Sequence, residues 1–166
     1  MSQENKINQS CCGSIQKTIG TVEEKENCPK CYEIGEKVKN ITVKNMVSEN
    51  LMGKVVDEET YYLCMNEDCD VVYYNLNNER VFYKEEVKVP IWLKKNANPK
   101  YICYCNQVTE QQIINAVLDD GAKNIKDIIR LTGAMKNGKC EINNPLGKCC
   151  SSFIQETINK ALNSKE

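Results

Sequence analysis

Eleven cysteines and no histidine in 166 residues constrain this chain more than any other feature. The cysteines stand at positions 11, 12, 28, 31, 64, 69, 103, 105, 140, 149 and 150. The chain opens "MSQENKINQS", without the basic segment and apolar run of a secretory signal. An odd cysteine count in such a chain speaks against a disulfide framework and for thiolate ligation in a reducing compartment. With no imidazole available, a soft-metal site must be all-cysteine or cysteine plus carboxylate, and histidine general-base chemistry is excluded. No run approaches the roughly 18 apolar residues that span a bilayer. The expectation is a soluble, cytoplasmic protein. A net charge of −1, with both signs intermixed, provides no basic stripe for a phosphate backbone.

The length suits one ordinary domain or two small ones. Residues 1–24 are polar, contain "SCCGS" and are expected to form a flexible tail. Residues 25–90 are expected to form a zinc-binding, ribbon-like β domain. Within it Val43, Met46, Val47 and Leu51 have helical spacing, although "NITV" reads equally as a strand. "TYYLC", "DVVYYN" and "ERVFYK" read as strands, the last two joined by a turn at "LNN". "KVPIWLKKNANPKY" is a connector that packs Trp92 and crosses to residues 91–166, a helical domain.

Three helices are expected there. Thr109 caps the first with Gln112 reaching back, Gly121 stops it, and Ile113, Ile114, Val117 and Leu118 form its apolar face. Asn124 caps the second, with Ile125, Ile128, Ile129 and Leu131 on the buried side and Gly133 as stop. The third carries Phe153, Ile154, Ile158, Ala161 and Leu162.

Cys28 and Cys31 in "CPKC" form a knuckle in which Pro29 presets the turn. Cys64 and Cys69 in "CMNEDC" are the matching pair, with four residues between them. Four thiolates suit tetrahedral Zn²⁺ at about 2.3 Å per bond, and a closed set leaves no position for substrate, so the metal is structural. A rubredoxin-type iron and four unliganded cysteines are the alternatives.

Cys103 and Cys105 in "YICYCNQVT" are too close for a disulfide. Residues two apart on a strand face one side, and slight tightening of the chain would let both thiolates share one metal. The further candidates are Cys140 and the Cys149–Cys150 pair. A hairpin of the first two helices returns Cys140 to the start of the first. The third helix brings its N-terminal N–H groups to the same place, which favours an anionic thiolate cluster. Four thiolates around a two-iron core, [2Fe–2S], follow.

"CYCNQVTEQQIINAV", with its C-x-C pair and return cysteine, resembles the bacterioferritin-associated ferredoxin-like (BFD-like) [2Fe–2S] domain. That family's usual ending is C-x-x-C, whereas here eight or nine residues separate Cys140 from the last ligand. Together with the upstream C-P-K-C and C-x4-C pairs, the chain is more similar to the amino-terminal zinc and [2Fe–2S] module of CopZ-type copper metallochaperones. The resemblance implies an α+β fold: a small zinc-ribbon-like β region followed by a three-helix BFD-like domain. It implies cluster ligands Cys103, Cys105, Cys140 and Cys150, with Cys149 the rival of Cys150, and zinc ligands Cys28, Cys31, Cys64 and Cys69. It also implies electron transfer or copper trafficking, with reduction of Cu(II) to Cu(I) for a chaperone. Expected partners are that chaperone, or another metal-trafficking protein, and an electron donor. No M-x-C-x-x-C copper loop occurs in this sequence.

Cys11 and Cys12 remain as a candidate Cu(I) capture pair, since thiolates select soft ions, or as spare thiols. The competing function is a redox- or metal-sensing module that engages a protein or nucleic acid through Tyr61, Tyr62, Tyr73 and Tyr74. Two structural zinc sites without redox chemistry are the third reading. With no triad, P-loop or dinucleotide fingerprint, the chain is not expected to be an enzyme in the usual sense.

Overall fold

The computed structural model describes residues 26–165. Strands β1 (Glu36–Val38), β2 (Tyr61–Leu63), β3 (Val71–Tyr74) and β4 (Val81–Tyr83) form an antiparallel sheet in sequence order. Helix α1 (Asn40–Met46) and a 3₁₀ turn at Glu49–Lys54 lie between β1 and β2. The helical spacing read from Val43 to Leu51 is therefore broken. Val47 leaves the helix as extended chain and bridges to Val87.

Beyond the connector, β5 (Tyr101–Cys103) pairs with β6 (Val108–Thr109). Four helices follow: α2 (Glu110–Leu118), α3 (Ile125–Thr132), α4 (Cys140–Asn143) and α5 (Ser151–Asn163). The expected three are α2, α3 and α5. The one-turn α4 opens on Cys140. Thr109 accepts from the Gln112 N–H, with the Gln112 side chain reaching back, and Asn124 accepts from the Asp127 N–H. α2 ends at Leu118, ahead of Gly121. Gly133, at φ 78°, ends α3 where a side chain would be strained.

The sheet buries both faces. Tyr61, Leu63, Val72, Tyr73 and Phe82 join α1, Trp92, Ile113, Ile128, Ile154 and Ile158 in one continuous core. Tyr62, Val71 and Tyr74 turn the other way and pack around Cys28, Cys64 and Cys69. Simple alternation would separate Val72 from Tyr73. A register shift between Val71 and Tyr73 puts both on the core side. Tyr61, Tyr62, Tyr73 and Tyr74 are all buried, so these four rings offer no surface to a partner.

The α3 stripe is thinner than expected. Ile128 is buried, Ile125 and Ile129 are half-buried, and Leu131 is exposed, as is Leu118 of α2. In the connector, Trp92 packs on Phe153 and Tyr104 at ring-centroid distances of 5.0 and 6.3 Å. The Tyr104 hydroxyl accepts from the Trp92 N–H and donates to the Pro90 carbonyl, tying the connector to the turn that follows β5. Among the described residues no helix is long and apolar enough to cross a membrane.

Candidate metal centres

Two groups of thiols form, and they differ in shape. In the first, the Sγ atoms of Cys28, Cys31, Cys64 and Cys69 all lie within 4.8 Å of one another. Cys28 and Cys69 are 4.0 Å apart, Cys31 and Cys64 3.6 Å. Sulfurs at about 2.3 Å from one tetrahedral ion stand about 3.8 Å apart, so the residues fit a single bound zinc.

The backbone explains how two short loops reach this geometry. The C-P-K-C knuckle closes through Tyr32 N–H to the Cys28 carbonyl and Cys28 N–H to Glu33, with Tyr32 at φ 62°. In the wider loop Asn66 accepts the Asp68 N–H on its side chain and the Cys69 N–H on its carbonyl, folding the four intervening residues back. Gly35 lets the sheet close over the knuckle, because a Cβ there would lie 2.2 Å from the Tyr74 hydroxyl oxygen. Burial pushes the Cys28 and Cys64 thiols above their ordinary value. Against its own desolvation, Cys31 is held below it by the Glu33 N–H and the neighbouring sulfurs. A bound divalent cation supplies the counter-charge that buried thiolates lack. The buried Lys94 ammonium adds to it, donating to the carbonyls of Cys64 (3.1 Å) and Asn66 (2.8 Å). Nothing in the connector sequence singled out Lys94.

The second group is five thiols in a more open arrangement. Cys105 and Cys140 are 3.8 Å apart, and the Cys150 thiol is the side-chain partner of Cys103. Each cysteine of the C-x-C pair thus partners a thiol from the far side of the hairpin, where the sequence had suggested one shared metal atom. Among the described residues only the first group draws three or more ligand atoms within 4.8 Å of each other. Cys103 and Cys150 are buried, Cys105 and Cys140 half-buried, and Cys149 exposed.

The loop after α3 supplies N–H donors. Met135 N–H reaches Cys103 Sγ at 3.3 Å and Lys139 N–H reaches Cys105 Sγ at 3.2 Å, aided by positive φ at Gly133, Met135 and Asn137. The Asn106 amide adds a longer contact to Cys103, 3.7 Å. With the Cys150 thiol donating to it first of all, and these groups adding against burial, Cys103 is held at about 5. The same interaction pushes Cys150 up. Cys140 is pushed to about 11 by burial and then by Cys105. The donor set suits anionic thiolates on an iron–sulfur core.

Segment 141–148, between Cys140 and Cys150, rests on the amino-terminal half. Thr42 donates to the Glu141 carbonyl and Tyr73 to the Pro145 carbonyl, each at 2.7 Å. Lys39 pairs with Glu141, and Lys148 with Glu36. Gly147, at φ 67°, lies so close to Thr42 that a Cβ would be 2.5 Å from its hydroxyl oxygen. None of these contacts was visible as a motif. Cys11 and Cys12, the candidate Cu(I) pair, lie outside the described residues.

The comparisons with known proteins follow this division. A CopZ-type family model described as a zinc binding domain matches residues 25–88, and a BFD-like [2Fe–2S] binding domain matches residues 101–143. The chain is 37% identical to the copper chaperone CopZ of Archaeoglobus fulgidus over 128 residues, which are 77% of this chain and 59% of that protein. It thus spans about three fifths of the curated relative's length. The X-ray structure of the A. fulgidus CopZ N-terminal domain is 36% identical, with a TM-score of 0.65 over 78% of this chain and 95% of that one. The chain belongs to the CopZ-type family and carries its amino-terminal module, a zinc-binding domain joined to a BFD-like [2Fe–2S]-binding domain.

Proposed function

We propose that this chain is a cytoplasmic copper-trafficking protein in which zinc holds the fold and a [2Fe–2S] cluster passes electrons singly. Zinc is bound by Cys28, Cys31, Cys64 and Cys69, within a unit of residues 25–90. The cluster is bound by Cys103, Cys105, Cys140 and Cys150, within a unit of residues 91–166 whose frame is the three helices α2, α3 and α5. Cys11 and Cys12 are candidate Cu(I) ligands.

The contrast between the two thiol groups carries this reading. One is a compact knot sized for a single ion. The other brings Cys105 to Cys140 and Cys103 to Cys150, lacks the close four-sulfur knot of the first, and is supplied with N–H donors. A second mononuclear zinc would require the compact geometry, so the open group supports a two-metal core. When bound, such a cluster supplies one electron, the amount that converts Cu(II) to Cu(I). The chain's own part is to hold the thiolates, offer N–H groups to the reduced, more negative state, and leave Cys105 and Cys140 near the surface for exchange with an electron donor. Similarity to the copper chaperone CopZ supports copper as the cargo and a copper-trafficking protein as the recipient.

Anaerobic purification with metal analysis tests the cofactors, with one zinc and two irons per chain expected from the ligand counts. Mixing the dithionite-reduced protein with Cu(II), in the presence of a Cu(I)-specific chromophoric chelator, tests the activity. Cluster bleaching should reverse as Cu(I) appears, one electron per copper. A protein that binds iron and sulfide but leaves Cu(II) untouched would overturn the copper reading.

A further inference from the structure

Resting on the cluster reading above, we infer that Cys149 is an exchangeable substitute for Cys140, so the exposed side of the cluster can be held by either thiol. Adjacency in sequence makes Cys149 look like the rival of Cys150, but the fold separates them. Cys150 is the N-cap residue of α5, buried, and faces Cys103. Cys149 is exposed, and its thiol is held first by Ser151 at the start of α5 and also meets Cys140. Putting Cys149 in place of Cys150 would advance α5 by one residue, a rotation of about 100°. That would pull Ile154, Ile158 and Ala161 out of the core.

Replacing Cys140 demands far less. Cys140 Sγ lies 3.8 Å from Cys105 and also meets the Cys149 thiol. Cys140 opens a helix of four residues, and Cys149 sits on exposed irregular chain just ahead of α5. A side-chain rotation is enough, and the Cys103–Cys150 half stays fixed. In the exchange an iron–sulfur bond to Cys149 forms as the bond to Cys140 breaks. The proton leaving the Cys149 thiol is taken up by the departing Cys140 thiolate, and no electron moves. One thiol of this pair is therefore always free beside the cluster, and which one it is alternates.

Alanine variants, which offer no oxygen ligand, test this in the full chain after anaerobic reconstitution with ferrous iron and sulfide. Zinc content and far-ultraviolet circular dichroism serve as controls for folding. Cys140→Ala should keep the visible thiolate-to-iron absorption and most of the iron, with altered EPR g-values on reduction. Cys149→Ala should keep the cluster but show a single EPR species and no division of the label, and the double Cys140→Ala/Cys149→Ala variant should lose the cluster. Cys150→Ala should lose it too, despite an intact Cys149. Alkylation of the loaded parent followed by peptide mass spectrometry should find one label per chain in this pair, shared between Cys140 and Cys149. A cluster-free Cys140→Ala protein with full zinc would overturn the inference, as would a double variant that holds as much iron as the single one. A parent protein that takes up no cluster would instead overturn the cofactor reading.

Discussion

Tyr73→Phe removes one oxygen atom from the centre of the molecule and tests whether the zinc sheet holds the cluster loop. The ring is fully buried, and its hydroxyl donates to the buried Pro145 carbonyl at 2.7 Å. Phenylalanine keeps the ring packing and deletes only the donor. A net hydrogen bond is worth about 0.5–1.5 kcal/mol, but a buried acceptor left without a partner raises the cost to about 1–3 kcal/mol. Taking about 2 kcal/mol, segment 141–148 opens about 30 times more often. Cys140 and Cys150 flank that segment, so each opening exposes the cluster. With excess ferrous-iron chelator and fast reclosing, the bleaching rate follows the open population. The expected result is bleaching accelerated about 30-fold, with zinc retained. An unchanged bleaching rate refutes the reasoning. Parallel loss of zinc and cluster also does, because the substitution would then act on global stability rather than on this loop.

The remaining predictions concern the metals and one helix cap. Cys28→Ser should abolish folding of the sheet, since a structural zinc contributes about 10–16 kcal/mol, as much as the whole stability of a domain; near-ultraviolet tyrosine circular dichroism reads it, and a native signal without zinc would contradict the staple. Asn106→Ala removes an amide donor 3.7 Å from Cys103 Sγ and should lower the cluster midpoint potential by about 20–40 mV, taking about 0.5–1 kcal/mol as the preference for the reduced state; voltammetry showing no shift would mean that this contact is not felt by the metal. Asp127 is held below the usual carboxylate range, first by the Lys123 N–H and then by Arg130, against its small desolvation. Because its folded pKa is depressed, its contribution is fully present above the unfolded value near 4 and fades as pH falls through the folded value. Urea midpoints of Asp127→Asn and the parent should therefore differ at neutral pH and converge in acid; a constant gap would assign the effect to packing.

Much of the site was legible because metal ligation leaves short local signatures. C-P-K-C and C-x4-C mark two loops that can only meet around one centre, and their sulfurs do meet. The helix caps were readable for the same reason: Thr109 with Gln112, Asn124 and Gly133 act within one turn of their own chain. Burial depth was not. Spacing showed which side of α3 faces inward, but α3 packs mainly on α2 and α5 at the rim of the core, so Leu131 stays exposed. The shift between Val71 and Tyr73 is equally silent in sequence, because all four β3 residues are apolar or aromatic on both faces. Lys94 and Asn106 act through contacts set by tertiary position and belong to no spacing rule.

Strand β3 connects these observations. Val71 and Tyr74 pack against the zinc thiols, while Tyr73, beside them on the chain, reaches the Pro145 carbonyl. Helix α1 adds Thr42, which binds the Glu141 carbonyl and fits against Gly147, where any Cβ would collide. The nine residues between Cys140 and Cys150 are therefore braced at 141, 145, 147 and 148 by the half of the molecule that zinc folds. A C-x-x-C return would leave no chain to reach this sheet. The longer return is the form that lets the sheet and α1 position the segment between Cys140 and Cys150.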